Sequence, residues 1–214
     1  MYKDGLIPPI FSLAIERDLE GASGYLALGG VPPISFVQDF TSTPILVTKI
    51  AGYPSAYDFY TININDVVLD NVSLPSSGGK EIQYIVDSGT TLNYYPTDIA
   101  NAVNAKYVPP AVYSEDDEAY IVDCNAKAPG MGVTISGKTF WINELDMILL
   151  AGTDANGNDV CITGVNDGGS LITEDVYILG DTFFKNVVAV FDVGAVELKF
   201  APREYYASDN TGTK

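Results

Sequence analysis

Short runs rich in Val, Ile, Tyr, Phe and Thr recur along the whole chain, and clusters of Gly, Pro, Asn and Asp separate them. Strand-forming runs bounded by turn residues at such short spacing specify a mainly β fold, with helix as the minor partner. The runs lie at 25–28, 45–50, 59–64, 82–86, 120–122, 133–135, 139–142, 160–163, 176–179, 187–191 and 196–200. In Tyr60-Thr61-Ile62-Asn63-Ile64-Asn65 the polar residues take every second position, which predicts one wet and one buried face. Pro96 and Thr97 give a start signal, and Ile99, Ala102 and Val103 an apolar stripe, so a helix is predicted over 97–106. Single turns of helix are expected at 11–14, 143–147 and 182–185. The polar residues 208–214 read as a frayed tail.

With 47% hydrophobic and 11% aromatic residues in 214, the chain can bury a core of its own. Its 28 acidic residues against 11 basic ones give a formal charge of -17. That field opposes binding to nucleic acid or an anionic membrane. The charge suits an acidic medium, where protonation relieves self-repulsion, and equally suits an acidic surface that only maintains solubility. There is no histidine, which excludes Ser-His and Cys-His couples and makes a zinc site a poor fit. Acid-base chemistry, if present, falls to carboxylates, with no metal and no cofactor.

Cys124 and Cys161 are an even pair without CxxC spacing, and a structural disulfide in a secreted domain is the favoured reading. Asn71-Val72-Ser73 is an N-glycosylation sequon that matters only if the chain is secreted. No apolar run is long enough to cross a membrane as a helix. The first residues lack the basic and apolar segments of a signal peptide, so removal of upstream sequence is expected.

One stretch concentrates chemistry. Ile85-Val86-Asp87-Ser88-Gly89-Thr90-Thr91 is an apolar strand ending on an acid, followed by hydroxyls and a glycine. A carboxylate there needs donors or solvent, and Ser88, Gly89 and Thr90 offer two hydroxyls and close backbone amides. An Asp-Ser-Gly β-turn would account for the tripeptide alone. Further along come Ile178-Leu179-Gly180-Asp181-Thr182-Phe183-Phe184 and Ala189-Val190-Phe191-Asp192, and the chain opens with Phe11-Ser12-Leu13-Ala14-Ile15 and Gly24-Tyr25-Leu26-Ala27-Leu28-Gly29-Gly30.

Together these segments resemble, in order, the C-terminal lobe of pepsin-like aspartic peptidases of the fungal type, over residues 1–202, with 203–214 as a polar tail. The resemblance implies an acid-protease lobe of antiparallel, closed-barrel-like β-sheets with a few short helices. It implies that Asp87 is one of two catalytic aspartates sharing a proton and a water, supported by Ser88, Gly89 and Thr90. Gly89, Thr90 and Thr91 would bond the substrate backbone, and Phe59, Ile85 and Ile178 would line apolar pockets. For those three, core packing is an equally good reading. A peptide or protein substrate and pepstatin-like inhibitors follow, with a secreted or vacuolar location.

The chain has no second Asp-Ser/Thr-Gly and no flap hairpin, so the second aspartate is expected from an N-terminal lobe, and the chain alone is expected to be inactive. Two alternatives stand: a homodimer formed through the exposed lobe interface, in the manner of retroviral peptidases, or an inactive binding or inhibitor-like protein on the same fold. Asp181 is expected to cap the following helix rather than act as a second catalytic acid. Glu115-Asp116-Asp117-Glu118 lacks the spacing of a calcium loop and reads as a solvated loop.

Overall fold

A computed structural model describes residues 1–17, 24–50, 52–75, 82–169 and 177–203. In chain order the elements begin with β1 (Ile10–Ile15), β2 (Gly24–Leu28), β3 (Thr41–Pro44), β4 (Leu46–Thr48) and a long β5 (Ala56–Ile64). Next are β6 (Asp66–Leu69), β7 (Val72–Pro75), β8 (Ile82–Val86), β9 (Asn93–Tyr95) and helix α1 (Thr97–Asn104). Then come β10 (Val112–Ser114), β11 (Ala119–Val122), β12 (Met131–Ile135), β13 (Lys138–Ile142), a 3-10 turn (Glu144–Asp146), β14 (Ile148–Thr153), β15 (Asp159–Thr163) and β16 (Val165–Asp167). The last are β17 (Tyr177–Leu179), α2 (Asp181–Phe184), β18 (Val187–Asp192) and β19 (Glu197–Pro202).

Among the described residues the strands form four sheets, ordered β2-β1-β18-β19-β3, β10-β11-β15-β14, β13-β12-β6-β7 and β16-β9-β17-β8-β5-β4. The class is the mainly β one expected, but two details differ. Among the described residues no sheet closes on itself: in each, the first and last strands pair on one side only, whereas a barrel needs its two edges bonded. Nor is pairing wholly antiparallel, because β17 runs parallel to β8 and β16 parallel to β9. Parallel neighbours need a long crossover, and most of the second half of the chain lies between β8 and β17.

Residues 11–14 form part of a strand instead of a helical turn. Phe11, Leu13 and Ile15 pack on the main core, while Ser12 and Ala14 face the opposite way, a period of two locked by pairing with β2 and β18. The helix over 97–106 forms and stops at Asn104, whose Nδ2 donates to the carbonyls of Ala100 and Val165. The other two short helical turns occur as the 3-10 turn and α2. Thr61, expected on a wet face, is buried, and its hydroxyl bonds that of Thr48 on the paired strand β4. Val176 and residues 208–214 lie outside the described residues.

The main core gathers Tyr84, Tyr95, Tyr107, Phe140, Phe183 and Phe200, all fully buried. A smaller cluster of Ala14, Val188, Val190 and Ala201 lies on the other face of the five-stranded sheet. That is why Val187–Phe191 is apolar without alternation: Val187, Ala189 and Phe191 serve one cluster and Val188 and Val190 the other. Cys124 and Cys161 form a disulfide with Cα atoms 5.2 Å apart, and closing a loop of that size contributes about 4 kcal/mol in the chain-entropy model. Glu115–Glu118 form an exposed turn between β10 and β11, as expected.

A buried polar network fixes the far end of α2. Arg17 donates through Nε and Nη2 to both oxygens of Asp146, at 2.9 and 2.8 Å. Asn186, just past α2, donates through Nδ2 to Asp146 Oδ2 and to the Thr182 carbonyl, and accepts from the Asn143 amide. Such a cluster fixes the approach of its elements because each partner lost leaves a buried group unsatisfied.

Candidate active site

Asp87 leaves the end of β8, and its amide donates to the Leu179 carbonyl of β17 at 3.0 Å. The parallel pair therefore continues one residue beyond the strand and sets where the carboxyl group starts. The turn then holds the side chain: the Gly89 amide donates to Asp87 Oδ1 at 2.9 Å, and Thr90 Oγ1 donates to Asp87 Oδ2 at 2.6 Å. A donor on each oxygen fixes the carboxylate plane. Asp87 is half-buried, and Ser88, Gly89 and Thr91 are exposed, so the loop presents an oriented carboxylate to the open side.

A second layer holds the loop from behind. The Asp181 amide donates to the Thr90 carbonyl at 2.8 Å, and Thr182 donates to the Thr91 carbonyl through its amide and its hydroxyl, both at 3.1 Å. The Gly180 amide donates to Asn93 Oδ1 at 2.8 Å, and the Asn93 amide donates to the Gly164 carbonyl at 3.0 Å. Gly180 lies so close to the carbonyls of Thr90 and Leu92 that a Cβ there would overlap both. Glycine is thus required for close approach, a reason independent of turn conformation. Leu179-Gly180 therefore lies beneath the loop. Asn93 was missed by sequence reading. Its signal was a polar residue between Leu92 and Tyr94 in a buried stretch.

Asp181 does not cap α2. Gly180 occupies the N-cap position, Asp181 is the first helical residue, and no side chain caps the helix. Its Oδ1 is buried without a hydrogen-bond partner among the described residues. Burial pushes the Asp181 carboxyl up to about 6; Lys185 pulls against this and Asp87 adds to it.

The three expected pocket residues differ in setting. Ile85 is buried at 8% exposure, Ile178 pairs beside it and is half-buried, and Phe59 is 47% exposed. Because Thr61 pairs with Ile85 in an antiparallel register, Phe59 is carried toward Asp87. Phe59 alone of the three is exposed and so can meet a ligand directly.

An oriented carboxylate on a mixed-sheet junction, in a chain without histidine, defines a carboxylate-based site. The chain belongs to the eukaryotic aspartyl protease family, whose profile matches residues 1–203. It is 56% identical to a probable aspartic-type endopeptidase of Aspergillus fumigatus over 94% of this chain and 46% of that protein. It is also 28% identical to an acid protease of Saccharomycopsis fibuligera, over 78% of this chain and 45% of the relative. Rhizopuspepsin-1 of Rhizopus niveus is 27% identical, over 94% and 46% respectively. The chain thus spans less than half the length of the curated relatives it matches.

Proposed function

We propose that residues 1–202 are the C-terminal catalytic lobe of an aspartic endopeptidase that hydrolyses peptide bonds at acidic pH. The observation that carries this is the Asp87 carboxylate, held by one donor on each oxygen and open on one side. A second aspartate is supplied by an N-terminal lobe of the same protein, a reading supported by the share of each relative that this chain spans. Two carboxylates in contact cannot both ionise cheaply, so the pair keeps one proton. The ionised member takes a proton from a water as that water attacks the peptide carbonyl, and the protonated member donates to the carbonyl oxygen. Neither a metal nor a cofactor enters these steps.

Within this scheme Thr90 and Gly89 keep Asp87 aimed, and Ser88 reaches toward the partner loop. Gly89, Thr90 and Thr91 bond the substrate backbone, and Phe59 and Ile178 meet its side chains with Ile85 supporting them. The N-terminal lobe docks on the sheet edge where Tyr25, Leu26 and Leu28 of β2 are exposed. Pepstatin-like inhibitors occupy the completed cleft. A secreted or vacuolar location agrees with the disulfide and the acidic composition. The Asn71 sequon lies in the exposed turn between β6 and β7, where it is accessible to glycosylation in a secreted chain.

The test is cleavage of a denatured protein at acidic pH by this chain alone, at several concentrations, and after mixing with the N-terminal lobe of a relative. Pepstatin-sensitive activity only in the mixture supports the proposal. Activity that rises with the concentration of the single chain would replace it with a homodimer. Binding of substrate without cleavage in any mixture would indicate an inactive binding protein.

A further inference from the structure

The carboxyl of Asp181 has no part in the scheme above, yet its backbone is built into the catalytic loop. Its amide holds the Thr90 carbonyl at 2.8 Å, and Thr90 Oγ1 in turn holds Asp87 Oδ2 at 2.6 Å. Two hydrogen bonds and one residue therefore separate Asp181 from the carboxylate it backs. The next residue, Thr182, adds two more bonds to the Thr91 carbonyl. Any shift of the first turn of α2 is passed directly to the loop. The Asp181 side chain meanwhile puts Oδ1 into a buried position with no donor among the described residues. An ionised carboxylate with a buried, unpartnered oxygen is strongly disfavoured, whereas a protonated one is tolerated.

We propose that Asp181 is a positioning residue for the Asp87 loop that works in its protonated form, so that its ionisation loosens the junction between α2 and the loop and ties loop order to acidic pH. The proposal rests on the peptidase reading only for what loop order is used for. The coupling itself is a property of this chain.

The surroundings of Asp181 agree. Lys185, one turn further along α2, pulls toward ionisation, and Asp87 pushes against it. Of the strands packed on α2, β1 carries no titratable side chain, β9 and β17 bring only tyrosines, and β18 brings only Asp192 at its far end. Burial is the leading cause of the raised value, with Asp87 adding to it. The sign follows. A carboxyl whose folded value is about 6 and whose unfolded value is ordinary binds more protons when the junction is closed. Closure is favoured fully below the ordinary carboxylate range and is lost as pH rises through about 6.

The experiment uses this chain and needs no activity. Hydrogen exchange of the Asp181 and Thr182 amides, corrected for the intrinsic rate, reports closure of the junction, and carboxyl NMR reports Asp181 directly. Protection in the wild type should fall roughly tenfold between about pH 4 and about pH 7, less than the full linkage limit because the carboxyl is only half-buried. In Asp181→Asn, of the same shape and always neutral, protection should stay level across that range. In Asp87→Asn the Asp181 midpoint should move to lower pH, since one source of repulsion is gone. Asp181 titrating in the ordinary carboxylate range in the unaltered chain, or the same pH dependence in Asp181→Asn, would overturn the proposal. Titration of Asp181 as described with no cleavage by the completed enzyme would sink the peptidase reading and leave the coupling intact.

Discussion

Gly180→Ala tests whether the strand beneath the Asp87 loop is a clamp or merely a neighbour. The new Cβ would overlap the backbone carbonyls of Thr90 and Leu92 on the loop side. Neither oxygen can rotate away as a side chain would, since the Thr90 carbonyl accepts from Asp181 and the chain on both sides is paired. The backbone must therefore separate. Overpacking of this kind costs about 3 kcal/mol, and for a domain of this size, with a urea dependence of about 2 kcal/mol per molar, the midpoint should fall by roughly 1.5 M. In the completed enzyme the displacement acts on the Asp87 carboxylate, and a misplacement of about 1 Å lowers kcat/KM roughly 100-fold. Gly30→Ala is the control, because a Cβ there meets nothing within 4 Å. Urea unfolding followed by tyrosine and tryptophan fluorescence reads the first effect, and peptide cleavage the second. If Gly180→Ala unfolds at the same urea concentration as Gly30→Ala, the close-approach argument is wrong.

Other substitutions probe other links. Thr90→Val deletes the hydroxyl donor to Asp87 Oδ2; losing one charge-assisted bond should lower kcat/KM of the completed enzyme roughly 10- to 100-fold with little change in thermal midpoint. Arg17→Met leaves the buried Asp146 carboxylate without its cation and should cost about 3 kcal/mol in urea unfolding. Reduction of the Cys124–Cys161 bond should cost about 4 kcal/mol, read as a lower midpoint in the presence of reductant. Asp192 is held below the ordinary range by the Ala195 amide and by Lys199. Its stabilisation is present above the ordinary carboxylate range and is lost as pH falls through its lowered value. Asp192→Asn should flatten that acid limb of the stability profile.

The strands with strong β-branched or aromatic runs, such as 82–86 and 187–191, were legible because local pattern and tertiary burial agree there. The strands Thr41–Pro44 and Val165–Asp167 were not, since Thr-Ser-Thr-Pro and Val-Asn-Asp become strands only by pairing with distant partners. Residues 11–14 misled for a related reason: a short apolar run fits helix and strand alike until its neighbours are known. At the candidate site, Asp87 and its two donors could be read because they lie within four consecutive residues. Asn93 and the true setting of Asp181 could not, because their roles arise where β9 and α2 meet the loop from separate parts of the chain.

The most direct test of the central claim is to complete the cleft and then remove one carboxylate. This chain, mixed with the N-terminal lobe of a relative, should cleave a denatured protein at acidic pH and be blocked by pepstatin, while Asp87→Asn, with the same thermal midpoint, should show no cleavage in the same mixture. Cleavage retained by Asp87→Asn would contradict the assignment of Asp87 as half of the dyad.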